Sequence, residues 1–238
     1  MKKIILTGCS RGIGKSILES LLQANYYVIG CSRDSNKDIE NLLLRYENFK
    51  YLSVDLSSEN ELEVLLREFD NDEIYGLINN AGVGLDGILA TLPITDIDKL
   101  LSLNLKTPIL LCRAMSRNII KHKTAGRIIN ISSIISKRGY NGLSVYSSTK
   151  AGLNGLTISL ARELGRTGST VNSILPGYIE TDMTKSLDES QINQILRRTP
   201  LGKLPDSKDI SNLVKYLLSD EAKSITGQLI KVDSGISV

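Results

Sequence analysis

The chain opens with Met1-Lys2-Lys3-Ile4-Ile5-Leu6-Thr7-Gly8-Cys9-Ser10-Arg11-Gly12-Ile13-Gly14, and two incompatible readings compete for it. Two lysines, an apolar run and Leu6-Thr7-Gly8-Cys9 look like the start of an exported lipoprotein. Alternatively, Ile4-Ile5-Leu6 is a buried strand that runs into a glycine loop. Length decides. A signal peptide needs an apolar core of roughly 7–15 residues. Here the uninterrupted apolar run is Ile4, Ile5 and Leu6 alone. Beyond the loop, Ile17, Leu18, Leu21 and Leu22 make an amphipathic helical stripe. The segment is therefore strand, glycine turn, helix.

Working outward, the rest of the chain repeats that alternation. Short apolar runs predict strands at Lys3–Leu6, Tyr27–Gly30, Tyr51–Val54, Gly76–Asn79, Arg127–Ser132, Thr170–Leu175 and Leu229–Val232. Helical patterns lie between them, at Glu59–Phe69, Ile97–Lys121, Tyr146–Leu164 and Asp209–Leu217. Strands alternating with helices predict an α/β fold: one doubly wound Rossmann-type domain over 1–238, a seven-stranded parallel sheet with helices on both faces. The strands are short apolar runs, as expected when both faces are covered. One long irregular stretch, Pro176 to Pro205, follows a strand's carboxyl end and is expected to act as a substrate lid.

Composition narrows the function. A net charge of +3 over 238 residues, with no basic tract, gives no reason to expect nucleic acid. No stretch reaches the ~18 continuous apolar residues of a membrane span. Cys9, Cys31 and Cys112 lack metal or redox spacing and read as apolar fillers in a reducing, cytoplasmic setting. His122 is the only histidine, in Lys121-His122-Lys123, a solvated helix end. That argues against imidazole metal sites and histidine-based triads, and no metal is expected.

Ligands of open α/β sheets bind beyond the carboxyl ends of the strands. Gly8, Gly12 and Gly14 stand there, spaced G-x-x-x-G-x-G. Glycines let the backbone approach a pyrophosphate while the following helix N-terminus supplies N–H groups. A plain strand–helix turn is the structural alternative. The second strand ends Cys31-Ser32-Arg33-Asp34. A strand-end acid would bond the ribose 2′-hydroxyl of NAD. Here Arg33 follows the strand, and Arg11 lies in the loop. Two guanidiniums suit a 2′-phosphate, so NADPH (NADP) is favoured over NAD. Asp34 is the counter-argument.

Tyr146-Ser147-Ser148-Thr149-Lys150 begins a helix and places Tyr146 and Lys150 on one face. Free tyrosine has a pKa of about 10. A neighbouring ammonium and an oxidised nicotinamide both favour phenolate, which makes the pair a tunable proton donor. As a bare pattern this is weak. Ser133 at one strand end, Asn79-Asn80-Ala81-Gly82 at another and Pro176-Gly177 at a third give it context, with Asn104 inside a helix.

Taken together, Thr7 to Gly14, Asp55, Asn79-Asn80-Ala81-Gly82, Asn104, Ser133, Tyr146, Lys150 and Pro176-Gly177 resemble the short-chain dehydrogenase/reductase family over nearly the whole chain. The resemblance implies Tyr146 as general acid, with Lys150 binding the nicotinamide ribose and lowering the Tyr146 pKa. Ser133 would orient the carbonyl and Asn104 would hold a relay water. Ser132 is a neighbouring choice, but the spacing of Ser133 to Tyr146 matches the family. Asp55 would contact adenine and Asn80 the adjoining ribose region. Gly8, Ser10, Arg11, Gly12, Ile13, Gly14, Arg33, Leu56, Ala81, Gly82, Pro176, Gly177, Ile179 and Thr181 complete the implied cofactor site, with Tyr146 and Lys150. A buried structural amide is the rival for Asn104, and a helix N-cap for Asp55.

Gly126 to Ser133, Leu160 to Leu164, Pro176 to Met183 and the ending Ile225 to Gly235 are similar to 3-oxoacyl-[acyl-carrier-protein] reductases. An NADPH-dependent ketone reductase acting on a 3-oxoacyl thioester is implied, with acyl carrier protein as a possible partner and a homotetramer as the common assembly. Thr124 and Thr167 stand where carrier-docking arginines are expected, with Lys123 and Arg166 beside them. Two alternatives stay open: a sugar, polyol or other secondary-alcohol dehydrogenase, and a non-catalytic nucleotide-sensing or scaffold protein on the same fold.

Overall fold

The computed structural model describes residues 1–179 and 189–238. Its strands are β1 (Lys3–Thr7), β2 (Tyr27–Ser32), β3 (Phe49–Ser53), β4 (Gly76–Asn79), β5 (Arg127–Ile131), β6 (Thr170–Pro176) and β7 (Leu229–Val232). Among the described residues these form one seven-stranded sheet, β3-β2-β1-β4-β5-β6-β7, with every neighbouring pair parallel. The helices are α1 (Gly12–Gln23), α2 (Lys37–Arg45), α3 (Glu59–Asn71), α4 (Ile94–Leu101), α5 (Thr107–His122), α6 (Ser144–Leu164), α7 (Glu189–Arg197) and α8 (Ser207–Leu218).

The period-two alternation of strand side chains builds two cores. Ile4, Leu6, Val28, Ile78, Ile129 and Ile174 face one layer, where Ile17, Leu21, Ile39, Ile210 and Leu217 come from α1, α2 and α8. Ile5, Ile29, Leu77, Ile128 and Val171 face the other, against Leu65 of α3, Leu111 and Met115 of α5 and Leu160 of α6. Both faces of each inner strand are thus covered, which is why the strands read as continuous apolar runs.

Two elements depart from the sequence reading. Helix α2 was not among the expected helices; its register turns Ile39 and Leu42 into the core. Its N-terminus is fixed by Asn36, whose Oδ1 accepts from the Ile39 N–H at 3.0 Å. The expected single helix Ile97–Lys121 is three pieces: α4, a π-helical turn at Ser102–Lys106, and α5. Such turns occur mostly as single-turn bulges, often at functional sites. This one contains Asn104.

Strand β1 lies between β2 and β4, so the strand order reverses there and opens a crevice beyond the two carboxyl ends. Thr7 joins its walls. Its hydroxyl oxygen accepts from the Asn80 and Ala81 N–H groups, each at 3.0 Å.

Candidate active site

The glycine loop turns sharply out of β1. Gly8 and Gly12 have φ of +69° and +53°, a region where L side chains are strained. The Gly8 N–H donates to the Cys31 carbonyl at 2.7 Å. A Cβ on Gly14 would sit 1.9 Å from the Gly8 carbonyl oxygen, so only glycine lets α1 start this close to the loop. Asn80 Nδ2 donates to the carbonyls of Thr7 at 3.0 Å and Gly8 at 2.9 Å. Its side chain therefore braces the loop. Arg11 precedes α1 in extended backbone and makes no side-chain cap bond, so no cap side chain satisfies the leading N–H groups of α1. Glycines, bracing amide and uncapped helix start fit a pyrophosphate. Ser10 is fixed through its carbonyl, which accepts from Asn36 Nδ2 at 2.9 Å. Ile13 is half-buried at the start of α1.

Beyond β2, Ser32 Oγ donates to the Asp34 carbonyl at 3.1 Å and lies 3.0 Å from the Tyr51 hydroxyl. Arg33 and Asp34 are both largely exposed, with Nε 3.9 Å from Oδ2. The Asp55 carboxylate accepts from the Ser57 hydroxyl and N–H, which hold its pKa below the usual value, and Arg33 adds to this. Asp55 is not the cap of α3; Ser58 is, accepting from the Glu61 N–H at 3.4 Å. Leu56 is buried, and its carbonyl accepts from Thr107 Oγ1 at 2.9 Å.

The chemistry-bearing residues converge beyond β4 and β5. Ser133 caps a short 3-10 turn, Ile134–Ser136, its Oγ accepting from the Ile135 N–H at 3.3 Å, and its side chain neighbours that of Tyr146 in the first turn of α6. Burial pushes the Tyr146 phenol up to about 12, the neighbouring Ser133 side chain opposes that shift, and the Asp86 carboxylate adds to it. Lys150 is 5 % exposed, and its Nζ lies 5.7 Å from the Tyr146 ring centroid and donates to the Ile131 carbonyl at 2.9 Å. Burial pulls Lys150 down to about 8. The sequence reading had Lys150 lowering Tyr146. In this geometry desolvation dominates and raises the phenol. Ser132 is occupied elsewhere, its Oγ donating to the Lys150 carbonyl at 3.1 Å.

Asn104 is buried in the π turn. Its Oδ1 accepts from the Val83 N–H and its Nδ2 donates to the Val83 carbonyl, both at 2.8 Å. This side chain clamps the segment after β4. A Cβ on Gly82 would meet Asn104 Oδ1 at 3.1 Å and Lys150 Nζ at 3.5 Å, so the three are neighbours. Ala81 is half-buried between Thr7 and Gly82. Pro176 ends β6, and the Gly177 N–H donates to Val232 at 2.9 Å. Ile179 is buried, whereas Thr181 lies outside the described residues.

Sequence reasoning placed Thr7 in the glycine-loop motif without its bonds to Asn80 and Ala81, and did not single out Ser136 or Asn154. Thr7 was legible as the residue before Gly8; the other two carry no local signal. The three cysteines are buried, and burial raises all three thiols, Cys9 and Cys112 to about 12. His122 is half-buried with Nε2 enclosed and unpartnered, rather than a solvated helix end. Among the described residues no group of three or more His, Cys, Asp or Glu could hold a metal ion, and no helix is long and apolar enough to cross a membrane.

A family model described as Enoyl-(Acyl carrier protein) reductase matches residues 8–237. With the nucleotide crevice and the Ser133, Tyr146 and Lys150 cluster, this places the chain in the short-chain dehydrogenase/reductase family of NAD(P)-dependent oxidoreductases. Within that family it closely resembles the 3-oxoacyl-[acyl-carrier-protein] reductases. The enzyme of that name from Vibrio cholerae is 37% identical over 238 residues, 99% of this chain and 97% of the relative. The Salmonella typhimurium enzyme is 38% identical over 241 aligned residues, with the same coverage. Among solved structures, 4-hydroxyisoleucine dehydrogenase complexed with NADH superposes with a TM-score of 0.94 at 28% identity, covering 99% of this chain and 98% of that one. A putative NAD(P)-dependent gluconate 5-dehydrogenase from Beutenbergia cavernae, with bound NADP, gives 0.93 at 26% identity, covering 99% and 96%.

Proposed function

We propose that this protein uses NADPH to reduce the ketone of a 3-oxoacyl thioester to a secondary alcohol. The proximity of Ser133 and Lys150 to Tyr146 beyond the ends of β4 and β5 carries the reading. Tyr146, held protonated by burial, donates its hydroxyl proton to the ketone oxygen as charge develops there. Ser133 Oγ–H bonds the same oxygen and orients the carbonyl. Lys150 would hold the nicotinamide ribose when the cofactor is bound and would return a proton to Tyr146. Asn104 fixes the segment after β4 and holds the relay water. The bound cofactor supplies the hydride.

Arg11 and Arg33, both exposed beside the crevice, favour a 2′-phosphate. The full-length relatives named as 3-oxoacyl reductases support the substrate class. An acyl carrier protein would meet Lys123 and Arg166, both exposed. Thr167 does not replace a docking arginine, since its hydroxyl is bonded to the Leu164 carbonyl at 2.7 Å. The expected lid 176–205, of which 180–188 lies outside the described residues, would close over the substrate, a homotetramer is the proposed assembly, and buried free cysteines suit the cytoplasm. A small secondary-alcohol dehydrogenase is the second reading, favoured by the close superposition on 4-hydroxyisoleucine dehydrogenase.

NADPH and NADH oxidation should be followed with acetoacetyl and longer 3-oxoacyl thioesters beside a sugar and alcohol panel. NADPH with a thioester should give the highest kcat/KM. Tyr146→Phe should lose roughly 10²–10⁴-fold in rate while still binding NADPH. Preference for NADH, or for an alcohol on the panel, would overturn the corresponding half of the reading.

A further inference from the structure

The turn that carries Ser133 is tied to α6 by side chains with no other visible task. Ser147 Oγ donates to the Ile135 carbonyl at 2.9 Å. A second tie runs through two residues. Asn154 Nδ2 donates to Ser136 Oγ at 2.7 Å, and Ser136 Oγ donates to the Ser133 carbonyl at 2.6 Å. The direction of this chain is forced. A serine hydroxyl has one proton, and Ser136 gives it to Ser133. Ser136 therefore faces Asn154 as an acceptor, and Asn154 must present its Nδ2.

That orientation has a consequence for Asn154, which is 4 % exposed: its Oδ1 is buried and makes no hydrogen bond. An unpaired buried acceptor opposes folding, and a leucine of similar volume would fill the space without one. Packing alone does not explain an amide here. Asn154 stands four residues beyond Lys150 and eight beyond Tyr146, along one stripe of α6.

We propose that Asn154 is a positioning residue for the reduction: through Ser136 it fixes the Ser133 turn against α6, and so the approach of the Ser133 hydroxyl to Tyr146. This rests on the reading of Ser133 as the group that orients the ketone. Misplacing a reacting group by 1 Å lowers the rate by up to about a hundredfold. Asn154 touches neither substrate nor cofactor in this scheme and acts only through the turn.

The test is a double-mutant cycle on the full-length protein with Asn154→Leu, Ser136→Ala and the pair, alongside Ser133→Ala. Each single change should lower kcat about tenfold and leave the dissociation constant for NADPH within about twofold. The pair should be no slower than the worse single variant, since both cut one chain. Wild-type kcat in Asn154→Leu with a lowered melting temperature, or losses that multiply in the pair, would show a packing role and overturn the proposal. If Asn154→Leu does not fold, Ser136→Ala decides, and full kcat there overturns it. Full activity in Ser133→Ala overturns both this proposal and the assignment of Ser133. An inactive Ser133→Ala beside a fully active Asn154→Leu overturns this proposal alone.

Discussion

Lys150 is held in conflict: it is buried and ionisable, and its Nζ has a carbonyl partner but, among the described residues, no carboxylate within ion-pair distance. Burial disfavours the ammonium, so its pKa falls to about 8 in the folded state against 10.5 when free. Below the folded value both states hold the proton, and the native state carries the full desolvation penalty. Between pH 8 and 10.5 only the unfolded chain holds it, so stability rises with pH; above 10.5 the penalty is gone. Lys150→Met removes the group. The stability of the wild type relative to Lys150→Met should therefore improve by about 3 kcal/mol between pH 7 and 10.5. Urea unfolding of both proteins across that range checks it, and a flat difference would mean that water reaches the amine. Tyr146 has the opposite sign. Its raised pKa keeps it a proton donor at neutral pH, as a ketone reduction requires.

At the scale of elements, the crevice depends on contacts too close for any side chain. Gly14→Ala would force a methyl group to within 1.9 Å of the Gly8 carbonyl oxygen, a backbone atom with no room to yield. The loop must open or α1 must shift, and either removes the N–H cradle. NADPH binding should weaken by at least about tenfold while the far-ultraviolet circular dichroism stays that of a folded α/β protein. Unchanged affinity would place the pyrophosphate elsewhere. Segment 176–205 is the second element with a testable role. Of the expected lid, 180–188 lies outside the described residues, while α7 stands at its far end. Amides of α7 should exchange faster than those of β5 in the free protein, and slow when NADPH and a substrate analogue bind. Protection equal to that of β5 and indifferent to ligand would make α7 a fixed wall.

For the whole molecule, the helices over one face of the sheet leave aliphatic side chains uncovered. Leu101 on α4 and Ile109 on α5 are 41 % exposed, Ile120 on α5 is 66 % and Ile158 on α6 is 44 %. Burying such a surface between subunits supports the proposed tetramer. Ile109→Asp with Ile158→Asp should lower the mass in solution, read by light scattering, and leave the secondary structure intact. A tetramer that survives both charges would have to be built on another face.

The sequence by itself determined the layers, the sheet and the location of the crevice. Those depend on local quantities: apolar period, glycine placement and the start of a helix after a strand. The Tyr146–Lys150 pair was legible for the same reason, since residues four apart on a helix share a face. Helix α2 was not, because it is short and turns only Ile39 and Leu42 into the core. Nor was the π turn, whose Asn104 is held by Val83, a partner on another element. The bracing of the glycine loop by Asn80 and the chain from Asn154 through Ser136 to Ser133 also appeared only in three dimensions. These bonds join side chains to groups whose proximity exists only after the sheet has formed. Tertiary structure likewise decided the sign of the Tyr146 shift, because the depth of burial of a phenol is a property of the packed molecule and not of its neighbours in sequence.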